Sequence, residues 1–305
     1  MIQVVFLFAM FASIFGLSKA SLEYSEPYFL VGSRMLLAGV LLLGYRAFIK
    51  PREFLLSRKE LLSLTLLGFF NIYLTNILEI VGLKTIASSK ACLIYSVSPF
   101  LSAFFSFFVF SEILSKKKWV GMSLGFAGLM FLMLEGMVGD SHQDVIKHLS
   151  QFHVGDFLLF GAVISNVYGW ILLKNILTQT GKSAVFVNGV SMLIGGFIAL
   201  AHSYMAGETW APIPVFDMQM FLRNTFLICM ISNIICYNLY GHLLKTYSAT
   251  FLSFAGLISP LFASLFGWLF LDEKISIIFL ISFLFFMFGL IVFHREEGRE
   301  ELQKS

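Results

Sequence analysis

Long apolar runs separated by short polar clusters make up nearly the whole chain. A membrane-crossing helix needs about 20 largely apolar residues at about 1.5 Å each. That ruler predicts ten helices, over 2–19, 28–48, 61–82, 87–110, 118–137, 155–174, 185–206, 220–242, 249–271 and 275–293. The longest polar stretch, VGDSHQDVIKHLSQFHV at 138–154, divides them into two sets of five. The expected organisation is therefore a first unit at 1–137, a connecting loop at 138–154, a second unit at 155–294 and a charged tail at 295–305. The fold class is an all-α polytopic membrane protein. The opening MIQVVFLFAMFASIFG has no Lys or Arg ahead of its apolar run, unlike a cleaved secretory signal, and is read as the first transmembrane helix.

Periodicity within the runs separates lipid-facing from protein-facing sides. At about 100° per residue the fourth helix places Ser88, Ala91, Tyr95, Ser98, Ser102 and Ser106 on one face and Phe100, Phe104, Phe107 and Phe108 on the other. The Phe side is expected against acyl chains, and the small side against protein or a cavity. In the third helix Asn71, Thr75, Asn76, Glu79 and Gly82 gather opposite Leu74, Ile77, Leu78 and Val81.

Composition agrees with the pattern. Of 305 residues, 58% are hydrophobic and 13% charged, against roughly a quarter charged in soluble domains. The net charge of +3 comes from Lys and Arg grouped beside apolar segments, such as Lys116, Lys117 and Lys118, which sets orientation and argues against nucleic-acid binding. With both termini in the cytoplasm the inner loops and tail hold fourteen Lys and Arg and the outer segments seven, counting Arg34 among the outer set. Cys92, Cys229 and Cys236 lie inside apolar runs without zinc-site spacing and read as small core residues. Neither a cofactor nor a metal is implied.

The chain repeats itself. SVSPFLSAFFSFFVFSE at 96–112 and LISPLFASLFGWLFLDE at 257–273 share a proline near the start and an acid at the end. Pro99 and Pro260 are 161 positions apart, as are Glu112 and Glu273. At the same offset Leu83-Lys84-Thr85 matches Leu244-Lys245-Thr246, Ser98 matches Ser259, Phe105 matches Phe266, and Gly128-Leu129 matches Gly289-Leu290. Five helices per copy is an odd number, so consecutive copies insert with opposite orientation. Such 5+5 inverted repeats typify secondary transporters, in which each half adopts the other's conformation about a central site.

The segment from Gly68 to Leu132, with GLKTIASS, the SVSPF proline, FSE and the glycines of GMSLGFAGLMFLM, resembles the EamA-type family of the drug/metabolite transporter superfamily. The second copy, from Cys229 to Phe293, resembles it as well, and Gly155-Asp156 and Arg34 with Ala38 fit the same likeness. The resemblance implies ten helices in a 5+5 inverted repeat, each unit EamA-like. It also implies a central cavity lined by the third, fourth, sixth, eighth and ninth helices.

Candidate cavity residues are then Asn71, Asn76, Glu79, Tyr95, Asn166, Trp170, Asn233, Tyr237 and Tyr240. Glu79 is the acid of greatest interest, because an ionisable group within a span is costly and marks a functional candidate. It stands near its helix end, where meeting water or pairing with Lys84 are the alternatives. Pro99 and Pro260 can free backbone carbonyls one turn earlier and are read as gating kinks or as packing bends. Glu112 and Glu273 are expected in interfacial ion pairs with Lys117 and Lys274, or as caps.

Rival functions fail on specific residues. Gly181-Lys182-Ser183 resembles the end of a phosphate loop, but Ile176 stands where that motif needs glycine. The six histidines are scattered, so an enzyme is not expected. A channel fits the paired prolines and inverted repeat less well than a carrier does. An aromatic, amide-rich cavity with one carboxylate suits a ligand with a ring and a positive centre. The Phe-, Ile- and Lys-heavy composition resembles superfamily members of intracellular bacteria that import S-adenosylmethionine, often in exchange for S-adenosylhomocysteine. The expectation is such a carrier in a bacterial inner membrane, working on a small molecule within the lipid bilayer as monomer or homodimer. The alternative is an exporter of amino acids or aromatic or cationic drugs.

Overall fold

The computed structural model describes residues 1–85, 88–138, 154–271 and 277–304. Among the described residues twelve longer helices follow in order: α1 Ile2–Ala20, α2 Pro27–Ile49, α3 Arg58–Leu83, α4 Ser88–Tyr95, α5 Ser98–Phe110, α6 Lys116–Val138, α7 Val154–Thr180, α8 Ala184–Met205, α9 Met218–Leu243, α10 Ala249–Ala255, α11 Ser259–Leu271 and α12 Ile277–Lys304, with short 3-10 turns at Ser21–Glu23, Pro51–Phe54 and, joining α10 to α11, Gly256–Ile258. Seven spans among the described residues are long and apolar enough to cross a membrane, and Ile2–Ile14 and Ser98–Phe110 are shorter apolar helices. The chain is all-α. The extended pairing found among the described residues is a single bridge between Ser25 and Val215.

Glycines let long helices approach closely. Along the α6–α12 contact, a Cβ on Gly121 would lie 2.7 Å from the Gly289 carbonyl oxygen, and one on Gly128 2.7 Å from that of Ser282. Small residues at such crossings let backbones touch, which drives helix association where lipid removes the hydrophobic effect. The α2–α8 pair is closed the same way by Gly32, Gly39 and Gly196. α3 packs on α7 and α8, α5 on α7 and α10, and α1 on α9 and α11. Phe104, Phe107 and Phe108 project outward at half exposure or more, while Ser102 and Ser106 are buried, as the helical wheel requires.

Four features differ from the sequence reading. The helix expected over 87–110 is two segments, α4 and α5, interrupted at Ser96 and Val97. Pro99 falls in the first turn of α5 and Pro260 in the first turn of α11, where a missing N–H leaves no helix bond unmade. Pro99 thus starts a segment after the Ser96–Val97 turn, whereas Pro260 follows a 3-10 turn, Gly256–Ile258, inside a span that stays helical from Ala249 to Phe266. Secondly, α3 and α9 each contain a π-helical stretch, Gly68–Leu74 and Cys229–Cys236. Thirdly, α12 continues as helix to Lys304 through the expected tail, because its acids find partners: Glu300 lies 2.7 Å from Lys118 Nζ, Glu296 3.3 Å from Lys117 Nζ, and Glu297 Oε1 accepts from the Ser248 N–H at 2.8 Å. Lastly, Glu112 approaches Lys118 at 4.0 Å rather than Lys117, which Glu296 engages. The Glu273–Lys274 pair, most of the 138–154 loop and the Cys92 side chain lie outside the described residues.

Polar contacts gather at the two ends of the bundle. One end holds the Lys118 group and a second cluster, in which Arg46 grips Glu53 at 2.6 and 2.9 Å while Ser183 Oγ donates to Glu53 at 3.0 Å. Burial works to raise the Glu53 carboxyl, but these hydrogen bonds outweigh it and hold it below the usual carboxylate range. The Met1 amino group donates to Tyr247 Oη at 3.0 Å beside the Glu297–Ser248 contact, so both termini share this end. At the other end Lys90 pairs with Asp156 at 2.7 Å, and Glu208 accepts from the first N–H groups of α2 at Tyr28 and Phe29.

Candidate functional site

The two π stretches set the geometry of the centre. A π turn inserts one residue, so side chains beyond it are rotated from where a regular helix would place them. The Thr75 N–H bonds to the Phe70 carbonyl and the Tyr237 N–H to the Ser232 carbonyl, both five residues back. Neighbouring side chains accompany the widened turns: Ser165 Oγ donates to the Phe70 carbonyl at 2.8 Å, and Asn188 Nδ2 to the Tyr237 carbonyl at 3.0 Å. Such stretches recur at functional sites.

Between these helices lies a cavity of about 350 Å³, walled by α1, α2, α3, α4, α7, α9 and the α10–α11 junction. That is within the range of roughly 300–1,000 Å³ for small-molecule sites. Its lining runs from Ser18, Leu22, Leu83 and Ala91, near the Lys90–Asp156 end, to Phe8 and Tyr240 deeper in the bundle.

One wall is polar. Tyr95, the last residue of α4, donates its hydroxyl to Glu79 Oε2 at 2.8 Å. Arg34 Nη2 donates to Asn76 Oδ1 at 2.6 Å, while Asn76 Nδ2 is anchored on the Ile72 carbonyl at 2.8 Å. Among the described residues neither Arg34 nor Glu79 forms an ion pair. The adjoining part of the lining is aromatic. Trp170 stacks on Tyr240 with centroids 3.9 Å apart and planes 24° apart, and meets Tyr237 at 5.1 Å. Asn166 Oδ1 accepts from the Trp170 indole N–H at 3.1 Å and so fixes that ring. Phe8 packs edge-on against Tyr240, and Phe11 against Tyr237, both at 6.3 Å. Ser96, Ser98, Ser232, Ser253 and Ser259 add hydroxyls between the walls. Such a site can stack a flat ring at one side and hold separated charges at the other.

Of the candidates read from sequence, Asn76, Glu79, Tyr95, Asn166, Trp170, Tyr237, Tyr240 and Pro260 line this cavity, and Asn71, Asn233 and Pro99 do not. The π stretches explain the two asparagines. Asn71 is turned into the α3–α7 contact, against Gly169, with Nδ2 3.4 Å from the Asn166 carbonyl. Asn233 is fully buried with Nδ2 3.0 Å from Met35 Sδ, and Ser232 faces the cavity in its place. Glu79 is bonded by Tyr95, and the alternative partner Lys84 is exposed. Arg34 is the charged residue of the lining absent from the candidates read from sequence, as Phe8 and Ser232 are among the uncharged ones; a lone cation seven residues inside a span that starts at Pro27 was its signal.

The chain is 39% identical over 290 residues to a protein of Chlamydia muridarum (strain MoPn / Nigg) named S-adenosylmethionine/S-adenosylhomocysteine transporter, covering 95% of this chain and 89% of that one. A relative of the same name from Chlamydia trachomatis serovar L2 is 38% identical over 290 residues, covering 95% and 87%. The uncharacterized inner membrane transporter YedA of Escherichia coli (strain K12) is 26% identical over 263 residues, 86% of this chain and 79% of YedA. One solved crystal structure, at 14% identity, superposes with a TM-score of 0.71 over 97% of this chain and 96% of that one, so the fold is shared. The EamA-like transporter family matches residues 1–134 and again 153–295, and with most of its length so matched the chain belongs to that family.

Proposed function

We propose that this chain is a secondary transporter that takes up S-adenosylmethionine across a bacterial inner membrane, in exchange for S-adenosylhomocysteine, by alternating access. The observation that carries the reading is the cavity itself, in which a stacked Trp170–Tyr240 pair and the Glu79 carboxylate line one volume suited to one small metabolite. The substrate combines a purine ring with ammonium and sulfonium cations. Aromatic faces stack on the ring and attract cations, and Glu79 meets the positive centres. The names of the 38–39% identical relatives support the same substrate.

In this reading 1–137 and 155–294 form a 5+5 inverted repeat of ten helices, joined by 138–154 and ending in the 295–305 tail. Supporting it, the π stretches begin 161 residues apart at Gly68 and Cys229, and α5 and α11 begin 161 apart at Ser98 and Ser259. Both termini are cytoplasmic, on the charge bias of the loops and on their shared end. The carrier works as a monomer or homodimer, and the cavity lining, which reaches towards the Lys90–Asp156 end, belongs to an outward-facing state. Pro99, after the Ser96–Val97 turn, and Pro260, after the 3-10 turn Gly256–Ile258, act as gating points.

Uptake of radiolabelled S-adenosylmethionine by cells expressing the chain tests this reading. Saturable uptake, competed by S-adenosylhomocysteine and poorly by methionine or adenosine, is expected. Glu79→Gln should lower uptake by roughly 10-fold or more, the cost of a lost charge-assisted contact. Uptake equal to that of empty cells would sink the substrate assignment and turn the search to amino-acid and drug efflux.

A further inference from the structure

We propose that Arg34 reads the α-carboxylate of the substrate's amino-acid group, and that this contact separates the substrate from nucleosides lacking a carboxylate. The inference rests on the adenosyl-substrate reading above.

Arg34 sits within the second turn of α2 on the cavity wall. A guanidinium carries five N–H donors in a planar fork. Here Nη2 uses one on Asn76 Oδ1, and Nε is buried with no acceptor. Among the described residues no carboxylate lies within 4.0 Å of the guanidinium, although Glu79 lines the same cavity. A partly buried cation with no anion in contact is costly inside a membrane span and is retained where function needs it. The surroundings hold the fork still. Asn76 is anchored through Nδ2 to the Ile72 carbonyl, which turns its Oδ1 towards Arg34. Tyr95 holds Glu79 at 2.8 Å, keeping the carboxylate occupied on its own side of the wall.

The charge balance names the ligand class. Among the described residues Arg34 and Glu79 are the charged side chains lining the cavity; they feel each other's charge without contact, so a zwitterion placed between them satisfies both at once, its carboxylate on Arg34 and its ammonium on Glu79. A phosphate dianion fits poorly, since Glu79 would repel it and a single guanidinium would have to compensate two charges. An uncharged nucleoside would stack on Trp170 yet leave Arg34 unpaired. Rejection of ligands that leave a buried polar group unmet is a strong form of selectivity.

The test is exchange of labelled S-adenosylhomocysteine in proteoliposomes, competed by three unlabelled compounds: S-adenosylhomocysteine itself, its analogue lacking the carboxyl group, and 5′-methylthioadenosine. In the wild type the decarboxylated analogue should compete about 10- to 100-fold more weakly, the range of a charge-assisted hydrogen-bonded contact. Arg34→Gln should weaken S-adenosylhomocysteine to the level of its decarboxylated analogue, while 5′-methylthioadenosine, no longer set against an unmet guanidinium, should bind the purified variant at least as well as the wild type. Arg34→Lys, a point charge without the fork, should restore part of the discrimination. Equal competition by the two homocysteine analogues in the wild type overturns the proposal whatever the variants do. Discrimination that persists in Arg34→Gln overturns it as well, and leaves the adenosyl reading standing. A wild type that none of the three compounds inhibits overturns both.

Discussion

α3 and α9 use one backbone to opposite chemical ends. Each enters as α-helix, loosens into a π stretch and tightens again, and the two stretches begin 161 residues apart. Just beyond them the cavity receives Asn76 and Glu79 from α3, and Tyr237 and Tyr240 from α9, which are the same positions at that offset. The next helix follows suit. Tyr95 at the end of α4 reaches Glu79, whereas its counterpart Gly256 leaves space for Phe8, whose ring would lie 3.1 Å from a Cβ there and which packs on Tyr240. The shared part is the device that presents side chains to the centre, and the divergent part is what they recognise. The α3 side supplies charge and hydrogen bonds, and the α9 side supplies faces for a ring.

Removing one side at a time breaks this division, and the aromatic side should cost most. Trp170→Ala deletes the ring stacked on Tyr240 and leaves Glu79 and Arg34 in place. Base–aromatic stacking contributes about 1–3 kcal/mol, so affinity for adenosyl compounds should fall on the order of 10- to 100-fold in a competition assay. Removing a buried Trp also lowers stability by about 3–5 kcal/mol, visible as a lower melting temperature in detergent. Unchanged affinity in folded protein would mean that the stack Trp170 of α7 makes with Tyr240 of α9 does not hold the ring. A smaller effect is expected from the brace behind the α3 π stretch. A Cβ on Gly195 of α8 would lie 2.6 Å from both the Gly68 carbonyl oxygen and Ile72 Cβ. Gly195→Ala should therefore destabilise by about 1–3 kcal/mol and disturb the Glu79 side. The α9 stretch meets Asn188 of the same helix instead, and should keep its Trp170–Tyr240 stack, read by indole fluorescence.

How far the sequence was legible follows from the range of each signal. The spans were readable because apolar runs of membrane length are local, and the 161-residue offset because it preserves residue identities. The Phe and Ser faces of α5 followed from the wheel alone, and burial agrees with them. The π stretches carry no side-chain signature of their own. A wheel at about 100° per residue therefore pointed Asn71 and Asn233 at the centre, whereas the extra residue turns Asn71 into α7 and puts Ser232 in place of Asn233. Contacts between distant segments were equally out of reach. Glu79 had Lys84 five residues away as its evident partner, while Tyr95 is its partner in three dimensions. Arg34 read as one more boundary charge because its partner, Asn76, is 42 residues away.

The starts of α3 and α9 give the smallest and sharpest test of the comparison. Both begin with an N-cap, but the caps differ in how they are tied down. Ser57 and Glu60 form a reciprocal capping box, with Ser57 Oγ accepting from the Glu60 N–H at 3.2 Å and Glu60 accepting from the Ser57 N–H at 2.7 Å. Lys182, from the turn before α8, lies 3.6 Å from Glu60 and donates to the Glu53 and Leu55 carbonyls, so this cap fastens α3 to its neighbour. Asp217 caps α9 through the Met220 N–H at 3.0 Å, and among the described residues no cation pairs with it. An N-cap lost to alanine costs about 1 kcal/mol. Asp217→Ala should show that cost alone. Ser57→Ala should exceed it by a few tenths of a kcal/mol, because freeing Glu60 also loosens a partly exposed ion pair. Thermal unfolding of the two variants in the same detergent checks the order. The reverse order would mean that the Lys182 contacts hold the α3 entrance without its cap.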